Sequence, residues 1–194
     1  GTNEINRMLV VEMMLKKAIK KELNIFREIK KLQTELPLIL IGVNQNTPQS
    51  KLNKEKSTIC KLKKLSLLML GISVSRYKAK LVKEQELLMR IADLIIETYI
   101  CESALLKTEK MIKKKGIDKC KTEIHMTRNH IQSSLNIARA SAEEIIMSTT
   151  SGVKNRLLKS IAKKLTYPLN IDIKETRRSI AEVLQQEKKY PFSI

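Results

Sequence analysis

Aromatic residues are almost missing from this 194-residue sequence: Trp is absent, and Phe, Tyr and Trp together make up 3% of it. A core built from this chain must therefore consist of Leu, Ile, Met and Ala. Few rings also disfavour a surface for single-stranded nucleic acid, because such surfaces stack bases on aromatic side chains. Glycine (5) and proline (4) are scarce too, while hydrophobic residues reach 42%. This composition disfavours long disorder and favours helix.

Long apolar runs and metal-ligand spacings are also lacking. The most apolar stretch, residues 65–72, is shorter than a membrane span. Cys60, Cys101 and Cys120 are odd in number and unevenly spaced, so they are interpreted as buried free thiols in a reducing cytoplasm. His125 and His130 lie five residues apart, on different faces of a helix, with no cysteine or carboxylate cluster beside them. The sequence predicts no metal site.

Acidic residues are outnumbered, with 20 Asp and Glu against 38 Lys and Arg, which gives a net charge of +18. A basic surface attracts nucleic acid, anionic lipid or acidic ligands. The excess is mostly lysine and is spread along every segment, whereas arginine, which forks onto phosphates and guanines, is modest in number. The favoured interpretation is therefore solvated helix faces. The alternative, a non-enzymatic basic helical module that binds nucleic acid or acidic partners, stays open.

Helical periodicity is what the chain does contain. Apolar residues recur at helical spacing along most of the sequence. Helices are predicted over residues 3–24, 25–35, 59–80, 84–115, 118–149, 153–165 and 173–186. Thr2 or Asn3, Asp118 and Asp172 are predicted N-caps, and Gly116 is the predicted left-handed residue after a helix. Successive helices with short links give antiparallel neighbours, so the fold class is all-α, a helical bundle.

Three apolar stripes define the predicted core. In the first helix the stripe consists of Ile5, Met8, Leu9, Val11 or Glu12, Leu15, Ile19 and Leu23. In the helix over residues 84–115 it consists of Leu87, Leu88, Ile91, Leu94, Ile95, Tyr99, Cys101 and Leu105. In the helix over residues 118–149 it consists of Ile124, Ile131, Leu135, Ile137, Ala138, Ala142 and Ile145. Each stripe predicts the face that its helix buries.

A loop-like composition interrupts the pattern between residues 36 and 57. Pro37, Gly42 and Pro48 fall close together there. Residues 38–41 are predicted to be an extended apolar segment lying on helices, because no second strand is available to pair with them. The segment over residues 36–57 is thus predicted to be a linker between residues 1–35 and a domain over residues 58–194.

Carboxylate pairs are weak candidates for acid–base chemistry. Asp93 and Glu97 lie four residues apart on one helix face, and they are interpreted as solvated charge. Glu97 and Glu102 border the apolar stripe of their helix and are candidates for partial burial at an interface. No Ser/His/Asp order, glycine-rich phosphate loop or zinc spacing is present in the sequence.

The start of the chain carries the most informative segment. Gly1, Thr2, Asn3 and Glu4 run straight into the first helical pattern. Glycine lets a backbone approach a ligand closely. A free helix N-terminus presents unpaired N–H groups and a partial positive charge that suit phosphate. From the residues alone, the segment is either a plain capping turn or a binding segment for a phosphorylated cofactor.

Several segments in a fixed order carry a family resemblance. They are Gly1-Thr2-Asn3-Glu4-Ile5-Asn6-Arg7, the following helix to Ala18, residues 84–93, residues 99–110, the pattern from Asp172 to Ala181, and Lys189-Tyr190-Pro191-Phe192. The first resembles the signature near the end of the catalytic domain of acyl-CoA dehydrogenases, where Gly-Thr follows the catalytic glutamate. The later segments resemble the appended helical domain of the very-long-chain-type enzymes, most closely the bacterial versions.

The resemblance implies a function and a set of site residues. In this family a glutamate takes the α-proton of a fatty acyl-CoA while a β-hydride passes to FAD, which leaves a trans-2-enoyl-CoA. Gly1 would lie beside the substrate thioester, and Thr2, Asn3 and Glu4 would contact FAD. Some relatives carry Gln or Asp at the position of Glu4. The base would precede Gly1, so no catalytic residue is expected in these 194 residues and the chain alone is expected to be inactive.

The resemblance also implies architecture, partners and location. Residues 1–35 would complete the helical end of the catalytic domain, and residues 58–194 would form the appended helical domain. The enzyme would be a homodimer of fatty acid β-oxidation that passes electrons to an electron-transfer flavoprotein. It would be a cytoplasmic bacterial protein with peripheral association to the inner membrane, and no nucleic-acid partner is expected.

Overall fold

The computed structural model describes residues 1–42 and 52–187, and within them it is entirely helical apart from short connections. The helices are α1 Thr2–Ile19, α2 Ile25–Ile41, α3 Asn53–Tyr77, α4 Gln85–Lys115, α5 Lys121–Thr149, α6 Gly152–Leu165 and α7 Ile173–Glu187. Short 3-10 helices, Lys78–Lys83 and Asp118–Cys120, precede α4 and α5. The predicted all-α bundle is confirmed. The tail over residues 188–194, predicted to be irregular, lies outside the described residues.

The bundle is organised around α4, which packs most extensively against α5 and next against α3. α1 lies on α4, α2 bridges α3 and α6, and α7 packs on α5. One hydrophobic core runs through these contacts. Its largest fully buried members are Leu, Ile and Met side chains, in agreement with the shortage of aromatic residues. Burial of each such side chain contributes about 1.5–3 kcal/mol to folding.

Hydroxyl contacts cross both main interfaces of α4. The Ser66 hydroxyl of α3 lies 3.2 Å from the Thr98 hydroxyl of α4. The Thr108 and Thr127 hydroxyls meet at 2.7 Å between α4 and α5, and both residues are buried. Because each buried hydroxyl has a partner, these polar groups do not carry the cost of desolvation without compensation. We call Ser66–Thr98 and Thr108–Thr127 the hydroxyl pairs of α4.

The segment after residue 35 differs from the prediction. α2 continues through Pro37 to Ile41, so residues 38–41 are helical rather than extended, and Gly42 ends the helix with φ +84°. Leu36, Ile39 and Leu40 pack against the core, and the Lys164 ammonium group donates to the Leu40 carbonyl. α3 also begins earlier than predicted, at Asn53. The division of the chain into domains remains a prediction.

Two predicted caps and six stripe positions were wrong. Thr2 is the first helical residue of α1, and Asp118 belongs to the 3-10 helix before α5, so neither caps by its side chain. Asp172 does cap α7, since its Oδ1 accepts from the Glu175 N–H at 3.0 Å. Gly116 follows α4 with φ +83°, but its ψ of 158° is extended rather than left-handed helical. Several apolar positions predicted in the stripes are exposed: Ile5, Leu9, Ile19, Leu23, Tyr99 and Ile137.

Within the described ranges, no helix combines the length and the apolar character needed to cross a membrane.

Candidate functional site

The first four residues form an open helix start at one edge of the bundle. Residues 1–6 are all exposed, and α1 begins at Thr2. A Cβ added at Gly1 would meet only the Glu4 Oε2, at 3.9 Å, so the backbone at this point is open to close approach. The structure thus brings Gly1, Thr2, Asn3 and Glu4 into one accessible turn.

The N-cap residue of this turn gives its N–H groups no side-chain hydrogen bond, although the Glu4 carboxylate accepts from the Gly1 nitrogen and from its own backbone N–H. Gly1 holds the N-cap position and has no side chain to offer. The first N–H groups of a helix have no partner within the helix, and they add to its partial positive charge. An accessible, uncapped helix start is chemically suited to an anionic group such as a phosphate.

Glu4 is the residue of this turn whose side chain accepts a hydrogen bond. The terminal ammonium group of Gly1 donates to its Oε2 at 2.6 Å. This hydrogen bond, aided by backbone N–H donation, lowers the pKa of the Glu4 carboxyl. The contact depends on the charged amine, because a peptide nitrogen at the same place would offer only a single neutral N–H. Glu4 is fully exposed, so solvent screens the interaction.

Arg7 forms an ion pair between α1 and α4. Its Nε lies 3.4 Å from Asp93 Oδ1 on α4. Arg90 approaches the other oxygen of Asp93 at 3.5 Å and pairs with Glu144 on α5 at 2.5 Å. The Asp93 side chain is only 13% exposed, so its interpretation as solvated charge was wrong. The sequence showed Arg7 as part of a motif but gave no signal for this contact between helices.

The other carboxylates have structural partners. Glu97 accepts from the Ser134 hydroxyl at 2.5 Å, and Glu102 pairs with Lys63 at 2.5 Å. Both are partly buried, as predicted from their place beside the apolar stripe. These contacts tie α4 to α5 and α3.

The three cysteines differ in their exposure to solvent. Cys101 and Cys120 are buried, whereas Cys60 is exposed, so the prediction of three buried thiols was wrong for Cys60. Burial raises the pKa of the Cys101 thiol to about 11. Among residues 1–42 and 52–187, no group of three or more His, Cys, Asp or Glu side chains could hold a metal ion.

Fold and site together define an all-α bundle with an uncapped, accessible helix start at its edge. A family model described as "Acyl-CoA dehydrogenase, C-terminal domain" matches residues 61–164, which is more than half of the chain. This protein therefore belongs to the acyl-CoA dehydrogenase family, in agreement with the resemblance noted in its sequence.

Two relatives extend the match along nearly the whole chain. A "Probable acyl-CoA dehydrogenase" of Bacillus subtilis (strain 168) is 34% identical over 190 residues, which is 97% of this chain and 31% of the relative. The crystal structure of an acyl-CoA dehydrogenase complexed with FAD from Bacillus anthracis superposes with a TM-score of 0.92 and 33% identity. It covers 98% of this chain, which corresponds to 32% of that structure. The chain thus spans about a third of the length of these relatives.

Proposed function

We propose that this chain acts as the C-terminal part of an FAD-dependent acyl-CoA dehydrogenase, an oxidoreductase of fatty acid β-oxidation that converts a fatty acyl-CoA to a trans-2-enoyl-CoA. The observation that carries the proposal is the match of 97% of the chain, α1 included, to an acyl-CoA dehydrogenase. The superposition on a family member complexed with FAD supports the same assignment.

The turn over Gly1, Thr2, Asn3 and Glu4 fits a role beside FAD. Its uncapped N–H groups and full exposure suit the pyrophosphate of a dinucleotide. In the proposed site Gly1 lies beside the acyl thioester, the Thr2 hydroxyl and backbone groups bind FAD, and Asn3 and Glu4 add polar contacts. When bound, FAD supplies the acceptor for the β-hydride of the acyl chain. The residues of this chain bind and orient; the proton-abstracting glutamate is proposed to lie outside these 194 residues.

An unpartnered apolar face on α1 supports a role within a larger protein. Ile5, Leu9 and Met13 follow one another at helical spacing and are 62%, 44% and 49% exposed. Val11 and Ala18, on the face that packs on the bundle, are buried. An exposed apolar stripe of this kind marks a surface that another protein segment covers. We propose that the upstream catalytic domain of the complete enzyme packs on this face.

The remaining partners are proposed from the family. They are a fatty acyl-CoA substrate, an electron-transfer flavoprotein as electron acceptor, and a second copy of the enzyme in a homodimer. The net charge of +18 is compatible with peripheral association with an anionic inner membrane of a bacterial cytoplasm.

A chimeric enzyme tests the proposal. In the Bacillus subtilis relative, the region of 190 matched residues is replaced by this chain, so that the relative supplies everything upstream. We expect the chimera to retain FAD and to oxidise a fatty acyl-CoA with an artificial electron acceptor. The relative lacking this region, and the 194-residue chain alone, are expected to be inactive. A folded chimera without bound FAD and without activity would contradict the proposal, as would dehydrogenation by the chain alone.

The alternative, a basic helical module that binds nucleic acid, is favoured by net charge only. Titration of the chain with duplex and single-stranded nucleic acid at several salt concentrations separates the two functions. We expect weak binding that disappears at moderate salt, as for any cationic protein. Tight binding that survives moderate salt would favour the alternative.

A further inference from the structure

The first turn of α1 is exposed in this chain, and packing of the helix on the core begins at Met8. Residues 1–6 are exposed, and Val11 is the first fully buried residue of the helix. Arg7 lies between these two parts, and its ion pair with Asp93 links α1 to α4. Within this chain the direction of the helix start therefore depends on this pair and on the packing of Met8 and Val11.

A small change of direction at Met8, where packing on the core begins, has a large effect at Gly1. Seven residues of helix at 1.5 Å each form a lever of about 10 Å between them. A tilt of about 10° would move the first turn by about 1.8 Å over that length. Such a displacement is enough to break hydrogen bonds to a bound ligand, which tolerate only a few tenths of an ångström. The first turn needs a second point of attachment to present its N–H groups in a fixed place.

Asp93 provides that attachment and is itself held in place. Its Oδ1 lies 3.4 Å from Arg7 Nε and its Oδ2 lies 3.5 Å from Arg90 Nη1, so both oxygens are in ion pairs. Arg90 in turn pairs with Glu144 of α5. Alternating charges therefore run from α1 through α4 to α5. Because the Asp93 side chain is largely buried, its interaction with Arg7 is less screened than a pair on the open surface.

We propose that Asp93 is a positioning residue for the candidate cofactor site: through Arg7 it fixes the direction of the first turns of α1, and with it the N–H groups of Thr2, Asn3 and Glu4. Asp93 does not touch this segment and acts only through Arg7. The part of the inference that concerns FAD rests on the proposed function. The mechanical part concerns this chain alone.

Hydrogen exchange on the 194-residue chain tests the mechanical part without any cofactor. The readout is the exchange of the Asn6–Val10 backbone amides, which lie between the exposed start and Val11. We expect Arg7→Gln and Asp93→Asn each to speed their exchange about tenfold, while amides in the core of α5 stay unchanged. The double variant should match the single variants, because both remove the same contact.

Glu102→Gln is the matched control. It removes an ion pair between α4 and α3 at Lys63, which is shorter and more exposed than the Arg7–Asp93 pair and has no link to α1. It should leave the Asn6–Val10 exchange unchanged. If Asp93→Asn unfolds the chain, Arg7→Gln still decides the question, since it leaves Asp93 paired with Arg90. Unchanged exchange in Arg7→Gln, or equal acceleration in Glu102→Gln, would overturn the inference.

The cofactor part is measured in the chimeric enzyme by flavin fluorescence. We expect Arg7→Gln and Asp93→Asn to weaken FAD binding about tenfold, and Glu102→Gln to leave it unchanged. Binding of FAD that is equal in all variants would overturn the cofactor part. If the unmutated chimera binds no FAD, the proposed function fails, whereas the exchange experiment still decides whether Asp93 positions α1.

Discussion

Gly71 of α3 lies directly against Ile29 of α2: a Cβ added at Gly71 would come within 2.8 Å of the Ile29 Cγ2. This close approach gives a physical reason for a glycine inside a helix of 25 residues, where it would otherwise only lower helix stability. The glycine lets α2 sit close on α3.

Replacement of Gly71 tests this contact. Gly71→Ala gains about 1 kcal/mol of helix propensity. It forces a methyl group into the stiff β-branched Ile29, which costs about 1–3 kcal/mol. We expect net destabilisation of about 1 kcal/mol in urea unfolding. In an Ile29→Ala background the same change should become stabilising. Stabilisation by Gly71→Ala in the unmodified chain would show that α2 does not pack closely at this point.

The buried ion pair of Glu55 and Arg128 gives a second prediction. The Glu55 side chain is 4% exposed, and its Oε1 accepts from Arg128 Nε at 2.6 Å. Arg128→Leu should cost about 3–5 kcal/mol of unfolding free energy, because it leaves a buried carboxylate without its partner. The double variant Glu55→Leu with Arg128→Leu should recover most of that loss. Chemical denaturation of the unmodified chain, of Glu55→Leu, of Arg128→Leu and of the double variant measures the coupling energy. Additive losses of unfolding free energy would argue against a buried pair.

The Thr108–Thr127 hydroxyl pair, which carries no charge, predicts that substitutions of its two residues have non-additive effects on stability. Thr108→Val leaves the Thr127 hydroxyl buried and unpaired, so we expect a loss of about 1–3 kcal/mol. Thr108→Val with Thr127→Val should be close to the unmodified chain, because both polar groups are removed together. Thermal unfolding provides the comparison. A double variant that is less stable than either single variant would contradict the pairing.

The thiols should react in two classes. Cys60 is exposed, while Cys101 and Cys120 are buried, so an aromatic disulfide reagent should modify only Cys60 in the folded chain. Unfolding in urea should release the other two. The single variant Cys60→Ser should then show no fast reaction. Fast modification of more than one thiol in the folded chain would contradict the burial of Cys101 and Cys120.

The Cys101 thiol also predicts a pH effect. Its pKa is raised from 9.0 to about 11, chiefly by burial; the Ser134 hydroxyl lowers it and the Glu97 carboxylate adds to the rise. The unfolded chain loses this proton near pH 9 and the folded chain near pH 11, so stability falls as pH rises through that window. Denaturation between pH 8 and about 11 should show a steeper loss in the unmodified chain than in Cys101→Ala. Equal slopes would contradict this prediction.

Apolar periodicity predicted a helix correctly where its sequence pattern alone defines the buried face. The helix over residues 84–115 and its burial of Leu88, Ile91 and Leu94 could be read from the sequence alone. Pro37 misled the prediction, because packing of Leu36 and Ile39 on the core overrides the local preference against helix. α3 begins before the predicted start, and Glu55 in its first turn pairs with Arg128 of α5, a contact that a local pattern does not show.

The candidate site was predictable only as a segment. Resemblance to a family pointed to Gly1, Thr2, Asn3 and Glu4, and the structure places them together on one accessible turn. The attachment of that turn through Arg7 and Asp93 was not predictable, because the two residues are far apart in sequence and belong to different helices. A long-range pair of this kind is set by the packing of α1 on α4, which no local periodicity encodes.

The hydroxyl pairs of α4 have a consequence for register. A slide of α4 by one turn, about 5.4 Å, would keep apolar side chains against apolar side chains, because a Leu- and Ile-rich seam is nearly repetitive. The same slide would separate Ser66 from Thr98 and Thr108 from Thr127 simultaneously. The Thr108 and Thr127 hydroxyls would then lose each other as partners in an apolar environment, while Ser66 and Thr98 would keep only their bonds to carbonyls of their own helices. These small polar groups thus favour one position of α3, α4 and α5 along their axes. Apolar contacts alone would allow several positions of similar energy.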